Sequence, residues 1–174
     1  MSEPLPEWIN AELLAQQHTR LAGVIPLQKM PRLARCLVAP AGDAVAEVEF
    51  APGNGGRVVV RGQAEAQVQL TCQRCLEGLD WPLKARFSLA LAHNDDEAAA
   101  LPDEFEPLMW PEGSGSLPEL IEDELLLALP AVARHADPAD CGPVENLMRS
   151  EADEESADNP FAALNQLKSG RRER

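Results

Sequence analysis

Hydrophobic and polar residues alternate over two long stretches in the middle of the chain. From Val58 to Cys72 the apolar residues other than Val59 fall on even positions, and the charged and amide side chains fall on odd positions. The parity changes after the segment 72–79, and apolar residues then occupy odd positions from Trp81 to Leu91. A period of two over this length is typical of antiparallel strands with one buried face and one wet face.

Shorter patterns extend this sheet. A third alternation spans 44–50, and the Asn and Gly residues of 52–56 supply a turn between it and the next strand. Gly62 lies in the middle of the long strand, where a bulge is favoured. The polar stretch 93–101 is typical of a loop, and 105–110 is expected to form one more short strand. The pattern predicts an α+β fold built on an antiparallel β-meander with a few flanking helices.

Two segments have helical spacing. A weaker pattern predicts a short helix from Pro6 to about Arg20. A stronger one begins at Ser116, which forms a capping-box pattern with Glu119 and precedes an apolar stripe. Pro130 ends this helix, because proline removes a backbone donor.

Changes in composition divide the chain into four parts. We expect an N-terminal helical segment over 1–22, an α+β core domain over 23–137, an acidic flexible linker over 138–158, and a short C-terminal helix with a basic tail over 159–174. The linker is poor in large apolar residues, so burial cannot offset its ordering entropy, and the C-terminal region is predicted to be partly disordered. Three apolar residues of the last part share a helical face and are candidate partner-binding residues: Phe161, Leu164 and Leu167.

Charge is distributed unevenly along the chain. The formal net charge is -14, and residues 91–174 carry six basic and twenty acidic residues. No Lys or Arg occurs from Phe87 to Ala133. The simplest interpretation is a solvated acidic surface, and the alternative is a surface that attracts a basic partner. Under the alternative, three acids on the polar side of the capped helix are candidate partner-binding residues: Glu119, Glu122 and Asp123.

Composition argues against several classes of protein. Aromatic residues make up only 4% of the chain, so the stacking platforms of RNA-binding sheets are scarce. The negative charge disfavours a general nucleic-acid binder, since phosphate contacts need clustered Lys and Arg. No apolar run approaches ~20 residues, so no membrane partner is expected. The acidic N-terminus lacks the apolar core of a signal peptide, which favours a cytoplasmic protein.

Cysteine and histidine provide the clearest chemical pattern. Cys72 and Cys75 are spaced to chelate one metal ion from a tight turn, and His135 and Cys141 are the best candidates for the other two ligands of a tetrahedral zinc site. The long gap between Cys75 and Cys141 weakens this interpretation. Two alternatives stay open, namely that both cysteines are simply reduced or that the pair performs thiol redox chemistry. Redox is disfavoured, because redox pairs usually open a helix, whereas Cys72 ends a strand.

Other catalytic chemistry is scarce. The chain has none of the common nucleophile, zinc-protease or phosphate-loop motifs. The carboxylates at 122–124 are adjacent on one helix, which is typical of a solvated face rather than of an acid/base pair. We therefore expect no enzymatic activity. Cys36, beside Leu37 and Val38, is expected to be a small buried residue.

Three ordered motifs resemble those of a known family. The first is Thr71-Cys72-Gln73-Arg74-Cys75-Leu76-Glu77 at the end of a strand. The second runs from Ile121 to Pro130 and continues to His135 and Cys141, and the third runs from Asn159-Pro160-Phe161-Ala162 to Leu167-Lys168. In this order and spacing they are similar to the YceD family, the large ribosomal RNA subunit accumulation proteins of bacteria. The resemblance covers residues 20–170.

The resemblance implies a role in the synthesis, processing or stability of 23S ribosomal RNA, and it implies neither catalysis nor a metal. We therefore expect a non-enzymatic accessory protein of ribosome biogenesis, whose partners are ribosome-assembly components. The negative charge favours an indirect effect on 23S rRNA through a basic ribosomal protein. Direct RNA binding would instead use basic residues on the polar sheet face: Arg57, Arg61, Lys84 and Arg86. A thiol redox protein using Cys72 and Cys75, and an acidic chaperone of a basic client, are the alternative functions.

Overall fold

A five-stranded sheet is the centre of the fold. The computed structural model describes residues 3–141, and the structural statements below concern these residues. The sheet has the order β2-β3-β4-β5-β6, and a separate two-stranded sheet pairs β1 with β7. In chain order the strands are β1 (Trp8–Asn10), β2 (Arg20–Pro26), β3 (Asp43–Pro52), β4 (Val58–Thr71), β5 (Gly78–Ala92), β6 (Glu106–Met109) and β7 (Ser114–Ser116). The helices are α1 (Ala11–Gln16), α2 (Pro31–Ala34), α3 (Asp95–Ala99) and α4 (Leu117–Leu127). The predicted α+β class is confirmed.

The hairpin of β4 and β5 follows the predicted parity. The two strands pair antiparallel without interruption from Val59 opposite Ala90 to Thr71 opposite Gly78. Even positions of β4 and odd positions of β5 face the core. The expected bulge at Gly62 is absent from this register. Gly62 is needed for close packing instead, because a Cβ there would collide with the Phe87 ring and the Glu47 carbonyl oxygen.

The last strand of the sheet departs from a simple meander. β6 pairs parallel to β5, with Leu89 opposite Glu106. The chain crosses back before β6, and the stretch predicted to be a loop contains α3 within this crossing. Asn94 begins α3 by accepting a hydrogen bond from the Glu97 N–H at 2.9 Å. Asn followed three residues later by Glu is a helix-start signal, but the polar composition of this stretch favoured a loop.

The N-terminal helix is shorter than predicted. Only Ala11–Gln16 is helical, with Asn10 as its cap, and strands lie on both sides of it. β1 pairs with β7, and all of β2 pairs with β3. Pairing with distant strands therefore overrides the local helical spacing. The division into four parts stays a prediction, and residues 142–174 lie outside the described region.

The core lies between one face of the main sheet and the helices. α1 packs on β3 and β4, and α4 packs on β4 and β5. The largest fully buried side chains include Phe50, Leu83, Leu117, Ile121 and Leu125. The last three come from the apolar stripe of α4, whose first turn is capped by the Ser116 hydroxyl accepting from the Glu119 N–H. The predicted start of this helix at Ser116 is thus confirmed.

Glu122 corrects the prediction of a solvated acidic face on α4. Its side chain is buried, whereas Glu119 and Asp123 are exposed. The carboxylate accepts hydrogen bonds from the backbone N–H groups of Arg32 at 2.6 Å and Leu33 at 3.0 Å, and from Arg32 Nε at 2.9 Å. The first turn of a helix leaves N–H groups without partners. Glu122 therefore caps α2 from another helix, and it is unavailable to a binding partner.

Replacing Glu122 is expected to destabilise the whole domain. The Glu122→Gln variant loses the negative charge, and its amide NH₂ group faces the N–H donors of Arg32 and Leu33. The free energy of unfolding should therefore fall by roughly 2–4 kcal/mol. Glu119→Gln, on the exposed side of the same helix, is the matched control and should change it by less than about 0.5 kcal/mol. Urea denaturation of the full chain measures both values. Equal stability of the two variants would contradict the role given to Glu122.

Candidate metal centre

The turn between β4 and β5 positions the first pair of sulfur atoms. The Cys72 N–H donates to the Glu77 carbonyl oxygen at 2.8 Å, and the Leu76 N–H donates to the Cys72 carbonyl oxygen at 2.9 Å. Leu76 has a φ of 62°, which lets the chain reverse immediately after Cys75. These bonds close a tight turn and direct both thiols to its buried side. Cys72 is fully buried, and Cys75 is 8% exposed.

The segment after α4 brings the second pair to the same place. The Gln73 N–H donates to the Ala133 carbonyl oxygen at 2.8 Å, which holds this segment against the turn. Further on, the Asp137 carboxylate accepts from the Ala139 N–H at 2.8 Å and caps the short 3₁₀ helix Pro138–Asp140. Cys141 follows directly. A contact between two distant segments thus explains how ligands far apart in sequence meet.

The four side chains proposed from the sequence lie together. Their ligand atoms, from Cys72, Cys75, His135 and Cys141, all lie within 4.8 Å of one another. His135 Nδ1 lies 3.6 Å from Cys75 Sγ and 3.6 Å from Cys141 Sγ. Zinc bonds of about 2.3 Å to sulfur and about 2.0–2.1 Å to nitrogen, at a tetrahedral angle, separate the two atoms by about 3.6 Å. These two separations match those of a tetrahedral site, and the four residues together could hold one metal ion.

The electrostatics of the cluster favour a thiolate at Cys72. Burial raises the pKa of this thiol, but backbone N–H groups of Cys75, His135 and Arg74 donate toward the sulfur and lower the pKa to about 5. The Arg74 N–H lies 3.4 Å from Cys72 Sγ. The thiolate is the form of cysteine that binds metals. The backbone of the turn therefore prepares Cys72 to act as a ligand.

Cys141 has the opposite tendency. Burial raises the pKa of its thiol, and hydrogen bonds with the Cys75 and Cys72 thiols raise it further. The Arg74 guanidinium opposes this effect, with Nη1 donating to Cys141 Sγ at 3.5 Å. Arg74 was not singled out as a site residue from the sequence. Its position inside the Cys-x-x-Cys turn was the available signal.

This donor set suits a structural metal ion. Three thiols and one imidazole complete a tetrahedral shell, whereas catalytic zinc keeps one position for water or substrate. Sulfur ligands select soft metals such as zinc and disfavour magnesium and calcium, which prefer oxygen. The same burial restricts access of a substrate disulfide to Cys72. The arrangement is suited to holding a metal ion, and burial limits access to its thiols.

Cys36 is exposed, which corrects the prediction that it is buried. It follows the short helix α2, and its thiol lies 3.6 Å from the Arg32 carbonyl oxygen at the surface. The apolar neighbours Leu37 and Val38 suggested that Cys36 is buried, but the segment 36–38 forms a turn and bend after α2 rather than a strand. Cys36 is not part of the group formed by Cys72, Cys75, His135 and Cys141.

The basic residues of the polar sheet face do not form an uninterrupted patch. Lys84 Nζ lies 3.3 Å from the Glu65 carboxylate, and the Arg61 guanidinium lies 5.7 Å from the centre of the Phe105 ring. Arg57 donates to a backbone carbonyl oxygen at Ala100. Local acids and contacts therefore reduce what this face offers to phosphate groups.

Acidic residues instead collect beside two of these bases. A surface pocket of about 400 Å³ is lined by Lys84 and Arg86 together with the acids Asp103, Glu104, Glu106 and Glu124. Burial raises the pKa of Glu124 to about 7, and the nearby charges of Glu106 and Asp123 add to this. The sequence placed its candidate acids on α4 alone, because the parallel position of β6 was not foreseen. The other partner-binding candidates, Phe161, Leu164 and Leu167, lie outside the described residues.

Thiol labelling tests the accessibility of the cysteines. In the native chain, Cys36 should react with an alkylating reagent first, because it is exposed, and Cys72 last, because burial outweighs its low pKa. Time-resolved mass spectrometry of the labelled peptides gives the order. The Cys36→Ser variant should lose only the fast phase. Alkylation of Cys72 as fast as Cys36 would support a reactive thiol and contradict this arrangement.

Comparison with known proteins identifies the family. The family model described as large ribosomal RNA subunit accumulation protein YceD matches residues 60–168, a range that contains the whole cluster. A protein of that name from Haemophilus influenzae is 33% identical over 167 residues, covering 94% of this chain and 96% of its own length. No solved structure matches the chain. Within residues 3–141, no helix is long and apolar enough to span a membrane. The resemblance seen in the three motifs is thus confirmed, and the chain belongs to the YceD family of large ribosomal RNA subunit accumulation proteins.

Proposed function

We propose that this protein is a non-enzymatic accessory factor of large-subunit ribosome biogenesis, which supports the synthesis, processing or stability of 23S rRNA in the cytoplasm. Family membership supports the connection with ribosomal RNA. The cluster of three cysteines and one histidine supports a binding role, because its four ligand atoms complete a closed metal shell. Family membership carries the ribosomal role, and the grouping of four ligand atoms within 4.8 Å of one another carries the proposed metal site.

The proposed metal is zinc, held by Cys72, Cys75, His135 and Cys141. When bound, zinc supplies a rigid cross-link between the β4–β5 turn and the segment after α4. The protein itself contributes the Gln73 to Ala133 hydrogen bond, which already aligns the two segments. Metal binding stabilises the folded state, because the unfolded chain lacks a preformed site. The cross-link would fix the surface on both sides of the turn for recognition by a partner.

A thiol redox function is the alternative for the same residues. The lowered pKa of Cys72 favours it, since a thiolate is the nucleophile in disulfide exchange. The complete burial of Cys72 opposes it, because reactive cysteines are partly exposed. The presence of two further ligand side chains at the sulfur atoms also favours a metal. We therefore prefer the structural role.

The proposed partner is a basic ribosomal protein rather than bare RNA. The acids Asp103, Glu104 and Glu106 line the same pocket as Lys84 and Arg86 and outnumber these two bases, so the local charge is negative. A negative surface attracts a basic protein and repels phosphate. This partner also distinguishes the proposal from a general acidic chaperone, which would show no preference for ribosomal clients.

Loss of the metal centre should abolish the effect on ribosomal RNA. In a bacterium lacking its own copy of the gene, the wild-type chain and Cys36→Ser should restore the ratio of 23S to 16S rRNA, whereas Cys75→Ser should not. Cys36→Ser is the matched control, because it removes a cysteine outside the cluster. Immunoblots verify that the protein levels are equal, and RNA electrophoresis measures the ratio of 23S to 16S rRNA. Full restoration by Cys75→Ser at equal protein level would overturn the role of the cluster.

Neutralising the pocket acids should weaken partner capture. A variant carrying Asp103→Asn, Glu104→Gln and Glu106→Gln should recover less of a basic ribosomal protein from lysate, and wild-type capture should fall as salt rises, because exposed charges are screened. Glu119→Gln serves as a control for loss of an exposed acid elsewhere. The capture should persist after RNase treatment. Tight binding of an isolated 23S fragment at physiological salt, lost on replacing Arg61 and Arg86, would favour direct RNA recognition instead.

A further inference from the structure

Arg74 contacts sulfur atoms from both halves of the metal cluster. Its backbone N–H donates to Cys72 Sγ at 3.4 Å, and its guanidinium Nη1 donates to Cys141 Sγ at 3.5 Å. The first contact is made by the turn that contains Arg74. The second crosses to the segment after α4. Among the residues that the structure describes, no other Lys or Arg side chain donates to a sulfur of the cluster.

The charge of a loaded site explains why a cation is needed there. Three thiolates and a neutral imidazole around a divalent ion leave a net charge of about -1. A buried charge without a partner is costly, and a guanidinium in contact with it offsets part of that cost. Arg74 is partly buried and lies against Cys141, so its charge is close enough to balance the site.

We propose that Arg74 is a positioning residue of the zinc site, which orients Cys141 as the fourth ligand and neutralises the loaded centre. This inference rests on the proposed zinc binding. Cys141 is the ligand that most needs such help, because it follows a short 3₁₀ turn rather than a strand or a long helix. Side chains that hold metal ligands typically contribute a factor of about 10–100 to metal affinity.

The affinity of the full-length chain for zinc provides the first test. Competition with a chromophoric chelator at fixed pH should show that Arg74→Gln binds zinc about 10–100-fold more weakly than wild type. Arg134→Gln is the matched control, because Arg134 is exposed and immediately precedes the ligand His135. Its affinity should equal that of wild type. Arg74→Lys should recover part of the loss, since it keeps the charge but not the planar fork.

A double-mutant cycle separates this role from a general effect on the fold. If Arg74 acts through Cys141, adding Arg74→Gln to Cys141→Ala should cost little further affinity. The cobalt-loaded Arg74→Gln variant should keep the thiolate charge-transfer absorption of wild type, whereas Cys141→Ala should weaken it. Wild-type affinity in Arg74→Gln, or an undiminished loss in the Cys141→Ala background, would overturn the inference while leaving the zinc site intact. Failure of the wild-type chain to bind zinc would overturn both proposals.

Discussion

The packing of α4 on the sheet decides where the two halves of the cysteine and histidine cluster lie. Leu117, Ile121 and Leu125 are fully buried against β4 and β5, so the helix axis is fixed relative to the hairpin. The chain that leaves α4 must then return past the β4–β5 turn, where the Gln73 N–H meets the Ala133 carbonyl oxygen. His135 and Cys141 reach the two hairpin cysteines because of this return. Nonspecific burial of the apolar stripe of α4 thus determines where the four cysteine and histidine side chains meet.

Glu122 connects this packing to the rest of the fold. Its carboxylate leaves the helix surface for the interior and satisfies the N–H groups of α2, so the segment before β3 is tied to α4. A buried carboxylate is tolerated only where donors and a cation surround it, and Arg32 supplies the cation. The same arginine also holds Asp123 at 2.6 Å. Two residues of the acidic run 122–124 thus have structural roles, because Glu122 is buried and Asp123 pairs with Arg32 at the surface.

The sequence revealed features whose signal is local. The alternation in β4 and β5, the Ser116 cap and the Cys-x-x-Cys turn each depend on residues a few positions apart, and the structure contains all of them. The four metal-ligand candidates were found by donor chemistry, although their meeting depends on long-range packing. A helix at α1 and a strand at β6 were predicted, but the short extent of α1, the parallel pairing of β6 and the burial of Glu122 were not, because partners far away in sequence determine each of them. Arg74 was missed for the same reason, since its role appears only once Cys141 lies beside it.

X-ray absorption of the purified, zinc-loaded chain tests the central claim most directly, because it reports the atoms bound to the metal. We expect one zinc ion per chain, with three sulfur atoms at about 2.3 Å and one nitrogen atom at about 2.0–2.1 Å. Cys36→Ser should leave this shell unchanged, whereas Cys141→Ala should reduce the number of sulfur ligands by one. A shell of oxygen and nitrogen atoms, or a chain that takes up no zinc at neutral pH, would contradict the metal centre described here.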